Sequence, residues 1–219
     1  MQHNFGTVYG VLLNAQAEWD AYAPQMTQPP YKAAPQAPVL YIKTANTWNA
    51  NGGTIALPAA QQQVEVGATL ALVMGRAARH VAAKDALQHA AHYVLMNDLS
   101  LPHTSYFRPP VKYKNLDGFL GLGATLVAAA QMPDPASLQL EVRINGELRQ
   151  TVNLGQMRRS AAKLIADVSE LMTLHPGDVL LLGLGADRPL ASVGDRIDIT
   201  APALPTLGTL SHSVVRELA

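Results

Sequence analysis

The chain has 219 residues, 16 basic against 16 acidic side chains, 48% hydrophobic residues and no cysteine. Such a length buries one substantial core, so one domain over residues 1–219 is expected. Balanced, scattered charge excludes the concentrated positive field that nucleic acid or an anionic membrane requires. The missing cysteines exclude disulfides, thiolate nucleophiles and Cys-based metal centres. No stretch approaches the roughly 18 apolar residues of a membrane helix. The N-terminus carries no basic leader, its first Lys or Arg being Lys32. A cytoplasmic protein with small-molecule or protein partners is expected.

In chain order the first strands are expected at Gly6–Leu13, Val39–Ile42 and Thr54–Leu57, with Pro24–Pro38 an extended Pro-rich loop between the first two. The long run Val64–Met74 alternates. Val64, Val66, Ala68, Leu70, Leu72 and Met74 share a core face, while Glu65, Gly67, Thr69, Ala71 and Val73 share the other. That second face is oddly empty at Gly67 and Thr69.

A short Ala-rich helix is expected over Ala83–Tyr93, with His89 and His92 three apart on it, read as a solvated or capping pair rather than metal ligands. Strands follow at Tyr93–Met96, Leu120–Ala128, Leu138–Ile144 and Leu148–Leu154. Asn145-Gly146 forms a tight turn between the last two, because both residues tolerate positive φ. Ser160–Met172 places Ala161, Leu164, Ile165, Val168, Leu171 and Met172 at helical spacing, with Lys163 and Asp167 an outward ion pair. The turn His175-Pro176-Gly177-Asp178 then feeds strands at Val179–Leu182 and Arg196–Ile199. Many short strands and few helices predict a mostly β, α+β fold.

Chemistry-bearing patterns are sparse. The GLGA segments at Gly121 and Gly183 do not complete a dinucleotide fingerprint, and no G-x-S-x-G elbow exists. One region stands out: Asn97-Asp98-Leu99-Ser100, then Lys112 to Phe119, with Lys114 and the Asp117-Gly118-Phe119 turn. There an acid leaving a buried strand and a lysine could gather at a cleft mouth.

The order of GTVYGVLLN, YIK, VEVGATLALVMG, YVLMNDLS, KNLDGF, GLGA, LEVRINGELRQ and LIADVSELMTLHPGDVLLLG resembles the fumarylacetoacetate hydrolase family over nearly the whole chain. Within that family the likeness runs to the N-terminal half, or separate N-terminal subunit, of the bifunctional isomerase/decarboxylases of 4-hydroxyphenylacetate breakdown. The LP after NDLS and the tract Tyr106-Phe107-Arg108-Pro109 add to it.

The resemblance implies a mixed β-roll or β-sandwich of the family's C-terminal-domain type. It also implies decarboxylation and isomerisation of small dicarboxylic or tricarboxylic 2-oxo acids. A divalent cation, magnesium or manganese, would be held by two glutamates one residue apart and an aspartate. The glutamate positions fall on Gly67 and Thr69, leaving Asp98 the only remaining ligand, so metal binding by this chain alone is not expected.

The family's lid His and Glu fall on Glu18 and Ala21. Its Arg and Gln after the NDxS turn fall on Pro102 and Ser105, and its TGTP threonines on Leu182 and Leu184. By resemblance Asp98 and Lys114 are the catalytic candidates, with Lys114 and Asp117 for substrate. Glu65 either leans into the space beside Gly67 or stays in water. The implied partner is a homologous C-terminal-type subunit or a second copy of the chain.

Overall fold

The protein is described by a computed structural model covering residues 4–103 and 110–217. The strands of the first half are β1 (Val8–Leu12), β2 (Val39–Lys43), β3 (Trp48–Ala50), β4 (Thr54–Leu57), β5 (Gln63–Glu65), β6 (Ala68–Met74) and β7 (Ala90–Asp98). Those of the second are β8 (Leu120–Leu122), β9 (Val127–Ala128), β10 (Gln139–Ile144), β11 (Glu147–Asn153), β12 (Val179–Leu181), β13 (Leu190–Ser192), β14 (Arg196–Thr200) and β15 (Leu210–Arg216). The α-helices are α1 (Gln16–Tyr22), α2 (Ala83–Ala86), α3 (Val111–Lys114) and α4 (Ala161–Leu171).

A large mixed sheet runs β2-β1-β12-β6-β7-β8-β3, with β9 also on β7; a five-stranded sheet runs β11-β10-β14-β15-β4; β13 and β5 form a small pair. The mostly β expectation holds, in a curled sheet of the type the resemblance implied. Leu70, Leu72 and Met74 of β6 pack with Leu140, Val142, Ile197 and Ile199 of the five-stranded sheet. On the other face Ala71 and Val73 pack with Val94, Met96, Val179 and Leu181. Both faces of the central strands are therefore apolar, unlike a sheet with one wet side.

Several expected boundaries move. The run Val64–Met74 splits at Val66-Gly67, where β5 pairs with β13 and β6 pairs with β7 and β12. The expected helix over Ala83–Tyr93 shrinks to α2 and a single 3₁₀ turn, Leu87–His89, after which the chain becomes β7. His92 lies on that strand and His89 on the turn, its Nδ1 2.8 Å from the Ala77 carbonyl oxygen, so the two do not share a helix face. The Leu120–Ala128 run divides into β8 and β9, and α1, β3, β13 and β15 were not expected.

Helix α4 stands where its periodicity placed it. Ser160 Oγ caps it by accepting from Lys163 N, Lys163 Nζ lies 2.7 Å from Asp167, and Leu164, Ile165 and Val168 are buried. Leu171, expected in the buried stripe, is instead 56% exposed. The Asn145-Gly146 turn joins β10 and β11 with φ of 53° and 85°.

Candidate active site

Strand β2 alternates Tyr41 and Lys43 inward with Ile42 outward. The two inward side chains meet Asp98 at the end of β7, far away in sequence but adjacent across the curled sheet. Asp98 is 1% exposed and Lys114, on α3, 2%. Asp98 Oδ2 accepts from Lys114 Nζ at 3.1 Å and from the Tyr41 hydroxyl, while Oδ1 lies 3.0 Å from Lys43 Nζ. That last contact is an ion pair without an aligned hydrogen bond, because the Lys43 ammonium is directed at the carbonyls of Leu99, Lys114 and Phe119. The Tyr41 ring lies over Gly10, where a side chain would occupy the same space, and Lys114 Nζ stands 4.9 Å from the ring centre.

The electrostatics follow from burial and pairing. Burial alone would raise the Asp98 carboxyl, yet the ammonium groups of Lys114 and Lys43, aided by the Tyr41 hydroxyl, bring it down to about 2. Burial lowers Lys43 to about 8 against the pull of Asp98, and burial followed by the Asp98 charge raises Tyr41 well above its usual value. A carboxylate so stabilised is a weak proton acceptor at neutral pH. As placed, Asp98 is the shared counter-ion of two buried lysines.

The residues beside this cluster do not fit a hard divalent cation, which needs several free oxygen ligands. Gly67 leaves no room for a carboxylate: a Cβ there would run into the Asp98 backbone carbonyl and come within 3.2 Å of Leu184. Thr69 Oγ1 is spent on the Gly183 carbonyl at 2.8 Å, Asp98 Oδ2 accepts two hydrogen bonds, and Oδ1 faces the Lys43 ammonium at 3.0 Å. Among the described residues no group of three or more His, Asp and Glu side chains is placed to hold a metal ion.

Of the candidates, Asp98 and Lys114 come together and Asp117 does not. Asp117 is exposed and accepts from Asn46 Nδ2 at 2.7 Å. Glu65 turns neither into the space beside Gly67 nor to open water: its Oε2 accepts from Arg188 Nε at 2.9 Å, and Arg188 Nη1 donates to Glu18 Oε1 at 2.9 Å. Ser105 and the tract Tyr106 to Pro109 lie outside the described residues. Sequence reading assigned no role to Tyr41, Lys43 or Arg188. The two-residue spacing in YIK was the available signal for the first two, and Arg188 offered none.

A cleft of about 350 Å³ lies beside the ion-paired glutamates, lined by Glu18, Glu65, His103 and Arg188 among others. The Tyr41 hydroxyl feels the charges of Arg188 and Glu18, so the cleft and the buried cluster share one electrostatic environment.

A family model described as the fumarylacetoacetate (FAA) hydrolase C-terminal domain matches residues 7–215. The 4-hydroxyphenylacetate degradation bifunctional isomerase/decarboxylase of Salmonella dublin is 39% identical over 202 residues, covering 92% of this chain and 46% of its own length. The chain thus spans about half the length of the curated relatives it matches first. Among solved structures, a 5-carboxymethyl-2-hydroxymuconate delta-isomerase from Mycobacterium smegmatis superposes with a TM-score of 0.78 at 27% identity, over 97% of this chain and 80% of its own. Maleylpyruvate hydrolase from Sphingobium sp. SYK-6, solved with manganese(II) and pyruvate, shares the fold at a TM-score of 0.77 and 24% identity, over 98% of this chain and 72% of its own. With the family model spanning nearly all of it, this chain belongs to the fumarylacetoacetate hydrolase family.

Proposed function

We propose that this chain is the N-terminal-type subunit of a 4-hydroxyphenylacetate-degradation isomerase/decarboxylase, acting beside a homologous subunit that carries the divalent cation. The observation behind this reading is the match itself: 39% identity over 92% of the chain but only 46% of the relative, which leaves room for a second, homologous half. The substrates on this reading are 5-oxopent-3-ene-1,2,5-tricarboxylate for decarboxylation and 2-hydroxyhepta-2,4-diene-1,7-dioate for isomerisation. Both reactions pass through an enol or enolate beside a 2-oxo acid, so oxygen charge must be stabilised and a proton moved.

The residues of this chain support the cation side of that task. Lys114 is oriented by its 3.1 Å contact with Asp98, and Lys43 anchors the same carboxylate to three backbone segments. Lys114 is the group we assign to a substrate carboxylate or enolate oxygen. Asp117, bonded to Asn46, fixes the turn behind it. Crowding at Gly67 favours a second reading, in which the chain is a catalytically degenerate partner that supplies structure or binds a small acid.

Reconstitution separates the two. The chain is purified and mixed with a family member whose glutamate pair is intact, and loss of the tricarboxylate is followed with magnesium, with manganese and with EDTA. The proposal requires the mixture to exceed the sum of its parts and Lys114→Met to reduce the excess. Equal turnover by the partner alone leaves the structural reading. EDTA-resistant turnover by this chain alone would overturn both.

A further inference from the structure

Helix α1 follows β1 and covers one side of the 350 Å³ cleft with Glu18, Ala21 and Tyr22. It is fastened at both flanks. Glu18 Oε2 accepts from Leu13 N at 3.1 Å, and Glu18 Oε1 accepts from Arg188 Nη1. Through Nε the same guanidinium reaches Glu65, the last residue of β5. On the far flank the Arg158 guanidinium stacks 3.5 Å from the centre of the Trp19 ring.

The bridge is neither loose nor peripheral. The Arg188, Glu18 and Glu65 side chains are only 13%, 9% and 14% exposed. The loop that carries Arg188 is itself held, by Val66 N on the Pro189 carbonyl at 2.9 Å and by Gln150 Nε2 on the Ala186 carbonyl at 2.6 Å. A rigid, planar donor fork between two carboxylates suits arginine and no other side chain.

We infer that Arg188 is an internal clamp that holds α1 over the cleft, by bridging Glu18 on the helix to Glu65 on the sheet. Together with the buried cluster it completes a set of three cations, Lys43, Lys114 and Arg188, against three carboxylates, Asp98, Glu18 and Glu65. Without the guanidinium, the charged link that joins Glu18 of α1 to Glu65 of β5 through Arg188 is broken. The clamp does not rest on the proposed reaction: it concerns which segment opens, whatever enters.

Hydrogen exchange of backbone amides in the full chain tests it, comparing wild type with Arg188→Gln, Arg188→Lys and Glu65→Gln. The expected result is on the order of ten-fold faster exchange over residues 13–22 in Arg188→Gln. Smaller increases are expected in Arg188→Lys, which keeps the charge without the fork, and in Glu65→Gln, which keeps the link to Glu18. Amides of β6 and β7 should not change. Unchanged exchange at 13–22, or equal acceleration there and in β6 and β7, would overturn the clamp. Should Arg188→Gln fail to fold, the same two criteria apply to Arg188→Lys and Glu65→Gln.

Discussion

Asp98 is held by three side-chain partners, two of them buried ammonium groups. Replacing it by Asn leaves Lys43 and Lys114, both buried, without their shared counter-ion. Breaking such a buried arrangement costs about 3–5 kcal/mol. Urea unfolding at neutral pH should therefore show Asp98→Asn destabilised by about that amount; a loss below about 1 kcal/mol would contradict the description of a coupled cluster. Gly67 makes a second case. Its missing Cβ is what lets the Asp98 carbonyl approach β6, so Gly67→Glu should destabilise by about 1–3 kcal/mol through overpacking. For the same reason, restoring both glutamates in Gly67→Glu/Thr69→Glu should not yield a tight manganese site. Titration calorimetry showing micromolar manganese binding by that double variant would refute the crowding argument.

Helix α4 and the β10-β11 hairpin were readable because their signals are local: apolar spacing with an i,i+4 ion pair in one, Asn-Gly in the other. The Ser160 cap supports a prediction. Ser160→Ala removes the acceptor for Lys163 N and should cost about 1 kcal/mol, checked by denaturant midpoint with an unchanged slope. Residues 90–93 misled because Ala-rich composition favours helix, whereas pairing of this part of β7 with β6 and β9 overrides that preference. The alternation of Leu210, His212 and Val214 in β15 was present in the sequence and overlooked. The candidate site was half legible. Asp98 and Lys114 lie 16 residues apart and were paired on sequence, but Tyr41 and Lys43 join them only because the large sheet curls. Arg188 reaches Glu18 across 170 residues, a pairing that no local pattern encodes.

Acid stability ties the two sheets together through a histidine that the reaction does not use. His212 of β15 is 2% exposed and points at the large sheet, where Gly121 of β8 makes room for its ring: a Cβ there would come within 3.0 Å of Nδ1. Burial holds its pKa below the usual histidine value, with the backbone of Asn49 and Ala50 pulling the other way. In the unfolded chain the imidazole takes up its proton near pH 6.5, in the folded chain only at lower pH. The unfolded state therefore binds more protons in that window, so the stability associated with neutral His212 is complete above about pH 6.5 and is lost as pH falls through the folded value. Asp98 adds a separate loss. Its folded value near 2 lies below the unfolded value of about 3.9, so its contribution is present above about pH 4 and disappears between there and about 2. Thermal unfolding midpoints measured from pH 8 to pH 3 should begin to fall near pH 6.5 and fall again below about 4. His212→Gln should flatten the first decline and leave the second, while Asp98→Asn should do the reverse. A midpoint independent of pH between 7 and 5 in the wild type would show that His212 is not held neutral between the sheets.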